Sequence, residues 1–549
     1  MAAFHEQAVY QVYPKSFRDS NGDGVGDLRG VTEKLDYIRA LGVDYIWLTP
    51  FFPSPQRDNG YDVSDYCAVD PLFGTMADME ELLREAKARG IGLMLDMVFN
   101  HTSTAHEWFQ RALAGEKRFQ DYYFFRDGAP DAPPTNWQSK FGGSAWAYAP
   151  EVGKWYLHLF DVTQADLNWE NPAVREELKN VIRFWQGKGV RAFRFDVVNL
   201  ISKPDVWQDD LIGDGRRFYT DGPRVHEHIQ ELVRDTGLTE AVTVGEMSST
   251  SLAHCVRYTK PENKELSMSF SFHHLKVDYK DGDKWQLQPP DLGQLRQLFE
   301  AWQTGMAREG GWNALFWCNH DQPRVVSRLG DDRRYWKESA KMLAMCLHLM
   351  RGTPYIYQGE ELGMSNAYFD ALEDYRDVES VNYYHILASS GLSHEDVMAR
   401  LQARSRDNSR TPMQWNAEPG AGFSDAEPWI PLGHGRMEAN AETEAQDPLS
   451  ILSFYRRLIS LRKARPVISE GDIRFLYPDA QDVIAYQRGL GKETLLVACN
   501  FAAEEKTLSL PDAFTKASAL LDSYEQAPEI DGTRLRLKPY EGAALLLVQ

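Results

Sequence analysis

Short apolar runs in this sequence carry, at or near their ends, residues able to make and break covalent bonds. His101 follows the run Ile91–Asn100, and Asp196 lies in Ala192–Val198. Glu246 lies in Thr243–Met247, and His320 and Asp321 close Ala314–Asp321. A carboxylate beside a carboxylic acid can cleave a glycosidic bond. One attacks the anomeric carbon and the other protonates the departing oxygen, with retention when they lie about 5–5.5 Å apart. Two close carboxyls also split their pKa values, so one is ionised and one protonated near neutrality. Chain spacing gives neither that distance nor the role of each residue.

These residues converge only if strands bring them to one face. Further strands are expected at Ala8–Pro14, Tyr45–Pro50, Ser267–Phe272 and Pro354–Glu360. Helical patterns alternate with them, as in parallel sheets with helical crossovers. One helix is expected from Thr75, with Asp78 as capping-box partner, to Gly90. Another opens at Asn171-Pro172 with Val174, Leu178, Val181, Ile182 and Trp185 on one face. The expected fold is α/β, a (β/α)8 TIM barrel over 1–101 and 169–471, whose strand ends gather at one mouth. An aromatic- and Gly-rich stretch after strand three, 102–168, is too long for a loop and reads as an inserted subdomain. A second insertion spans about Asn366–Pro412. From 472 to 549 short alternating runs predict a C-terminal antiparallel β-sandwich domain.

Composition narrows the partners. The chain has 549 residues, with Lys+Arg 60 against Asp+Glu 80 and a formal charge of −20. That field opposes nucleic acid and anionic membranes, and an anionic substrate would need a local group of cations. No apolar stretch is long enough to span a bilayer. Met-Ala-Ala-Phe-His-Glu-Gln has no signal-peptide pattern. Cys67, Cys255, Cys318, Cys346 and Cys499 show neither metal nor disulfide spacing, so reduced thiols in the cytoplasm are expected. No obligatory protein partner is evident.

Asp-Met-Val-Phe-Asn-His101, Phe-Arg-Phe-Asp196, Val-Gly-Glu246 and Asn-His-Asp321 resemble the four signature regions of glycoside hydrolase family 13. Gln164-Ala-Asp-Leu-Asn168 resembles the fifth region of its oligo-1,6-glucosidase branch. The resemblance covers nearly the whole chain and implies the same barrel, inserted domain and C-terminal β-domain. It implies Asp196 as nucleophile, Glu246 as acid/base and Asp321 as the carboxylate that steadies the transition state. His101, Gln164 and His320 then bind the glucose, and Tyr61 stacks on it. Asp58 and Arg410, in Ser-Arg-Thr-Pro-Met-Gln-Trp, would close the pocket's blind end, making the enzyme exo-acting on short glucosides. Arg194, two residues before the nucleophile on the same strand face, would keep Asp196 ionised.

Val197 resembles the α-1,6- or trehalose-phosphate-active members of the branch. Three longer segments, 214–224, 245–255 and Phe-His-His-Leu-Lys276-Val-Asp-Tyr, resemble the trehalose-6-phosphate-active ones. That implies hydrolysis of α,α-trehalose 6-phosphate to glucose and glucose 6-phosphate, the alternative being an oligo-1,6-glucosidase acting on isomaltose-type sugars. A phosphorylated leaving sugar needs cations beside its subsite. Lys276 and Lys284 are the first candidates, Arg216 and Arg217 the second. A non-catalytic relative would be expected to have lost these carboxylates.

Asp19-Ser-Asn21-Gly-Asp23-Gly-Val25-Gly-Asp27 spaces oxygen donors at alternate positions, which suits Ca²⁺. It resembles the calcium loop of oligo-1,6-glucosidase relatives. The expected ligands are the Asp19, Asn21, Asp23 and Asp27 side chains and the Val25 carbonyl, with a structural role. No cofactor is expected for the chemistry. His273 and His274 are expected in a strand, facing opposite ways, which excludes a shared metal.

Overall fold

Eight parallel strands form one sheet whose order follows the chain around a closed ring. They are β1 (Val9–Val12), β2 (Tyr45–Leu48), β3 (Gly92–Met97), β4 (Ala192–Phe195), β5 (Val242–Met247), β6 (Met268–Ser271), β7 (Ala314–Leu315) and β8 (Thr353–Tyr357). β1 pairs with both β2 and β8. A parallel bridge from Ser269 to Asn313 joins β6 to the start of β7 and completes the barrel. The computed structural model describes residues 4–524 and 526–548. Residues 1–3, 525 and 549, which the ranges expected for the barrel and the C-terminal domain include, lie outside the described residues. Nearly all strand residues are buried, because helices cover one face of the sheet and packed side chains fill the other.

Local signals set the helix ends. α1 (Met76–Ala88) starts on Thr75, whose side chain and that of Asp78 form a reciprocal capping box. α2 (Pro172–Gly187) starts on Asn171, whose side chain accepts from Ala173 N. All the barrel strands but β5 are shorter than expected, most of all β7, which pairs over Ala314–Leu315 alone. Beyond it the chain leaves the ladder and is held by side chains: Trp317 Nε1 donates to Leu343 O at 2.7 Å, and His274 Nε2 meets Phe316 O at 2.8 Å.

After β3 the chain makes two small antiparallel sheets. His101–Ser103 pairs with Gln164–Asp166, and Lys154–Leu157 lies between Phe125–Asp127 and Trp146–Ala149. Phe124, Trp137, Trp146 and Trp155 build a separate core there, which also receives Val197 and Leu200 from the barrel. The long segment after β8 is helical: α4 (Val378–Ser389), α5 (His394–Arg404) and the single turn α6 (Asp407–Arg410). The C-terminal region folds as antiparallel sheets of five and three strands around a core including Val483, Leu496, Leu508 and Leu535. Among the described residues no helix is long and apolar enough to cross a membrane. All five cysteines are free.

Candidate active site

Strand register assembles the pocket floor. Asp96 of β3 lies directly beside Arg194 of β4, and Val244 of β5 lies on the other side. Glu246, two residues along β5 on the same face, is then a diagonal neighbour of Arg194. The fully buried Arg194 guanidinium donates to Asp96 Oδ1 (2.6 Å), Asp196 Oδ1 (2.5 Å) and Glu246 Oε2. One cation therefore serves three carboxyl groups and ties Asp196 and Glu246 to the same guanidinium. Burial, opposed by Arg194, raises Asp96 to about 7 and Glu246 to about 8. That direction favours the protonated form of Glu246, the form a general acid requires.

Asp196 stands one residue past the end of β4, its N–H donating to Met97 O at 3.0 Å. Val197 follows at φ +33°, ψ +40°, a left-handed conformation that is costly for a β-branched residue. Its side chain is locked among the aromatics of the inserted segment. Packing thus maintains the kink that aims Asp196 into the cavity.

Asp321, half-exposed in the pocket, accepts from Arg410 Nη2 (2.8 Å) and Arg406 Nη1 (3.2 Å), with the His320 ring at 3.2 Å. Burial opposes its ionisation, but His320, Arg406 and Arg410 hold it far below the usual carboxylate range. Tyr61 donates to Asp96 Oδ2 at 2.9 Å and lies parallel to the His320 ring, centroids 5.0 Å apart. His101 Nε2 lies 3.2 Å from Gln164 Nε2, and Gln164 Nε2 donates to Asp58 Oδ2 at 3.0 Å. Asp58, Tyr61, His101, Asp196, Glu246 and Asp321 all line one cavity.

The blind end differs from expectation. Asp58 pairs with Arg406 (Nη2 to Oδ1, 2.9 Å), not with Arg410. Arg410, one helical turn on, is wholly buried behind the pocket and donates to His320 O at 2.8 Å. The turn of α6 sets both arginines on the same side, but only Arg406 faces the cavity. Asp377 accepts from Arg406 at 2.6 Å and fixes its direction.

The open end is cationic and aromatic, with Phe141, Phe160 and Phe272 beside Lys140, Lys276 and Lys284. Lys284 forms an ion pair with Glu379 at 2.6 Å, so its charge is already matched. Burial, and then the charge of Arg216, lower Lys276 below the usual lysine range. Arg216 pairs with Asp214 and Arg217 with Asp210, each arginine being half-exposed. Lys140, from the inserted segment, donates to the neutral Ser248 Oγ at 3.1 Å. Burial and then Arg216 lower it to about 7, with Lys276 acting in the same direction. Sequence reasoning missed Asp96, Arg406 and Lys140. Asp96 lies inside a motif already noticed, but only register sets it against Arg194.

The Asp19–Asp27 loop is a chain of tight turns. Asp19 accepts from the N–H groups of Asn21, Gly22 and Gly24 and from Ser424 Oγ. Asp27 accepts from Ser20 and caps the helix Leu28–Glu33 through Gly30 N. Both carboxylates are buried, and their oxygens accept from N–H and hydroxyl groups of the loop itself and of Ser424. Among the described residues no group of three or more His, Cys, Asp or Glu side chains is arranged to hold a metal. His273 and His274 are not in a strand: they open a 3-10 turn, His273–Leu275, because β6 ends at Ser271. His274 bonds the Phe316 carbonyl and His273 packs on Trp302, so they remain separate.

Comparison with known proteins agrees with this geometry. The family described as "Alpha amylase, catalytic domain" matches residues 11–471, and "Maltogenic Amylase, C-terminal domain" matches residues 473–543. The chain is 52% identical to the trehalose-6-phosphate hydrolase of Escherichia coli (strain K12), over 97% of each chain. It is 44% identical to the oligo-1,6-glucosidase of Parageobacillus thermoglucosidasius, over 98% of this chain and 97% of that one. The crystal structure of Bacillus licheniformis trehalose-6-phosphate hydrolase superposes with a TM-score of 0.95 at 52% identity, over 99% of each chain. With its four signature motifs meeting at one cavity and both family descriptions matched, the chain belongs to the α-amylase family of glycoside hydrolases, family 13.

Proposed function

We propose that the protein hydrolyses α,α-trehalose 6-phosphate with retention, releasing glucose and glucose 6-phosphate. The observation that carries this reading is the asymmetry of the cavity. Its wall holds the Asp58–Arg406 ion pair, which would close round one neutral sugar, and also Lys140 and Lys276, a pair of cations in a chain of net charge −20. Trehalose-6-phosphate hydrolases at about half identity over nearly the full length support it.

Glu246 donates its proton to the glycosidic oxygen as Asp196 attacks the anomeric carbon. The C–O bond breaks, glucose 6-phosphate leaves and a glucosyl ester of Asp196 remains. Glu246, now a carboxylate, takes a proton from water, whose oxygen attacks the same carbon and restores Asp196 with α-glucose released. Asp321, His101, His320 and the Asp58–Arg406 pair bind the glucose hydroxyls, while Arg194 and Asp96 hold both catalytic carboxyls in place. Lys140 and Lys276 bind the phosphate, and Arg216 adds to the field; Lys284 orients Glu379. Side-by-side turnover of trehalose 6-phosphate and isomaltose tests this. Faster turnover of isomaltose would favour the oligo-1,6-glucosidase reading.

We also propose a structural Ca²⁺ on Asp19, Asn21, Asp23, the Val25 carbonyl and Asp27, supported by the hard oxygen donors at alternate positions of this loop. A cytoplasmic site of action is consistent with the free thiols and a phosphorylated substrate. No protein partner enters the mechanism.

A further inference from the structure

The segments 214–224 and 245–255, far apart on the chain, meet at one buried carboxylate. Asp221, at φ +50°, has a side chain only 5% exposed. One oxygen accepts from Asn199 Nδ2 (3.1 Å) and Tyr258 Oη (2.8 Å). The other meets Thr250 Oγ1 (2.9 Å) and His254 Nδ1 (2.6 Å). These partners come from the 3-10 turn Val198–Leu200 after β4, from the loop after β5, and from helix α3 (Leu252–Thr259).

Asn199 carries the connection inward. Its Oδ1 accepts from Ser248 N (2.9 Å) and its Nδ2 donates to Ser248 O (2.8 Å). Ser248 lies beyond the end of β5, where no ladder satisfies its backbone, so one carboxamide supplies both partners. A carboxamide can be placed either way round. An ionised carboxylate only accepts, so Asp221 admits only the orientation with Nδ2 towards it. That same orientation matches both polar groups of Ser248. Ser248 Oγ in turn accepts from Lys140 Nζ.

We propose that Asp221 is a positioning residue for recognition of the leaving sugar's phosphate, acting through Asn199 and Ser248 on the ammonium of Lys140. The inference rests on the function proposed above. Asp221 itself touches no substrate. It sets the carboxamide, the carboxamide sets the loop, and the loop hydroxyl sets the cation at the pocket mouth.

The test uses the full-length protein with Asp221→Asn and Ser248→Ala, measuring kcat and KM on trehalose 6-phosphate and on a neutral aryl α-glucoside. Losing one well-placed hydrogen bond corresponds to roughly two- to tenfold. Each variant should raise KM for the phosphorylated substrate by about that factor while kcat changes less than about twofold. Adding Ser248→Ala to Lys140→Met should add nothing further, since both act on one contact. Equal losses on both substrates, or additive losses in the double variant, overturn the inference and leave the proposed function standing. If the unmodified protein does not prefer the phosphorylated substrate, the proposed function falls and this inference with it. Ser248→Ala decides the matter should Asp221→Asn fail to fold.

Discussion

Arg406 donates to Asp58 at 2.9 Å, a contact spanning 348 positions of the chain. It closes the blind end of the pocket, and Asp377 and Asp321 hold the same guanidinium. Arg406→Ala should leave Asp58 without its cation, and burial would then protonate it. We expect kcat/KM to fall by about 100-fold or more through misplacement of the glucose. Arg410→Ala should lower Tm because Arg410 is wholly buried, and should weaken catalysis less than Arg406→Ala because Asp321 keeps its contact with Arg406. Equal kinetic losses without a Tm difference would contradict this division.

Glu246 acts as an acid only while protonated, and burial raises it to about 8. Activity should therefore be retained through neutral pH and lost as pH rises past about 8. Glu246→Gln, assayed on an aryl glucoside whose leaving group needs no proton, should lack that alkaline limb. A limb that persists in the variant would assign it to another group.

Lys140 should recognise phosphate best while cationic, and burial and Arg216 lower it to about 7; Lys276 acts likewise, while Asp214 and Asp166 oppose them. KM for trehalose 6-phosphate should rise as pH passes above about 7, and KM for a neutral glucoside should not. Lys140→Met should remove this difference. Lys276→Ala should also raise KM for the phosphorylated substrate, and added salt should weaken binding of that substrate alone.

Features governed by neighbours in the chain were legible from sequence. The Thr75–Asp78 box and the Asn171 cap depend on a few consecutive residues, and both stand as expected. The carboxylates at converging strand ends were legible because a barrel brings strand C-termini together whatever the loops do. The pairing of Asp58 was not, since two arginines one helical turn apart are equivalent until the turn is oriented. Asp96 needed strand register, and Lys140 needed the path of an inserted segment that no periodicity describes. β7 reads as eight residues because its continuation is apolar, yet its hydrogen bonds go to side chains.

Calcium removal supplies a test independent of turnover. A ligand that binds only the folded state stabilises it by RT ln(1 + [L]/Kd). Chelation should lower Tm, Ca²⁺ should restore it, and Asp27→Asn should abolish the response. A Tm indifferent to chelator would remove the ion from the account.

If cations at the pocket mouth read a phosphate on the leaving sugar, trehalose 6-phosphate and trehalose must be turned over unequally. The most direct measurement is kcat/KM for trehalose 6-phosphate against unphosphorylated trehalose. A preference of more than about tenfold for the phosphorylated sugar, roughly 1.4 kcal/mol, is expected, and it should collapse in Lys140→Met/Lys276→Ala. A smaller preference, or one that survives loss of both lysines, would contradict that reading.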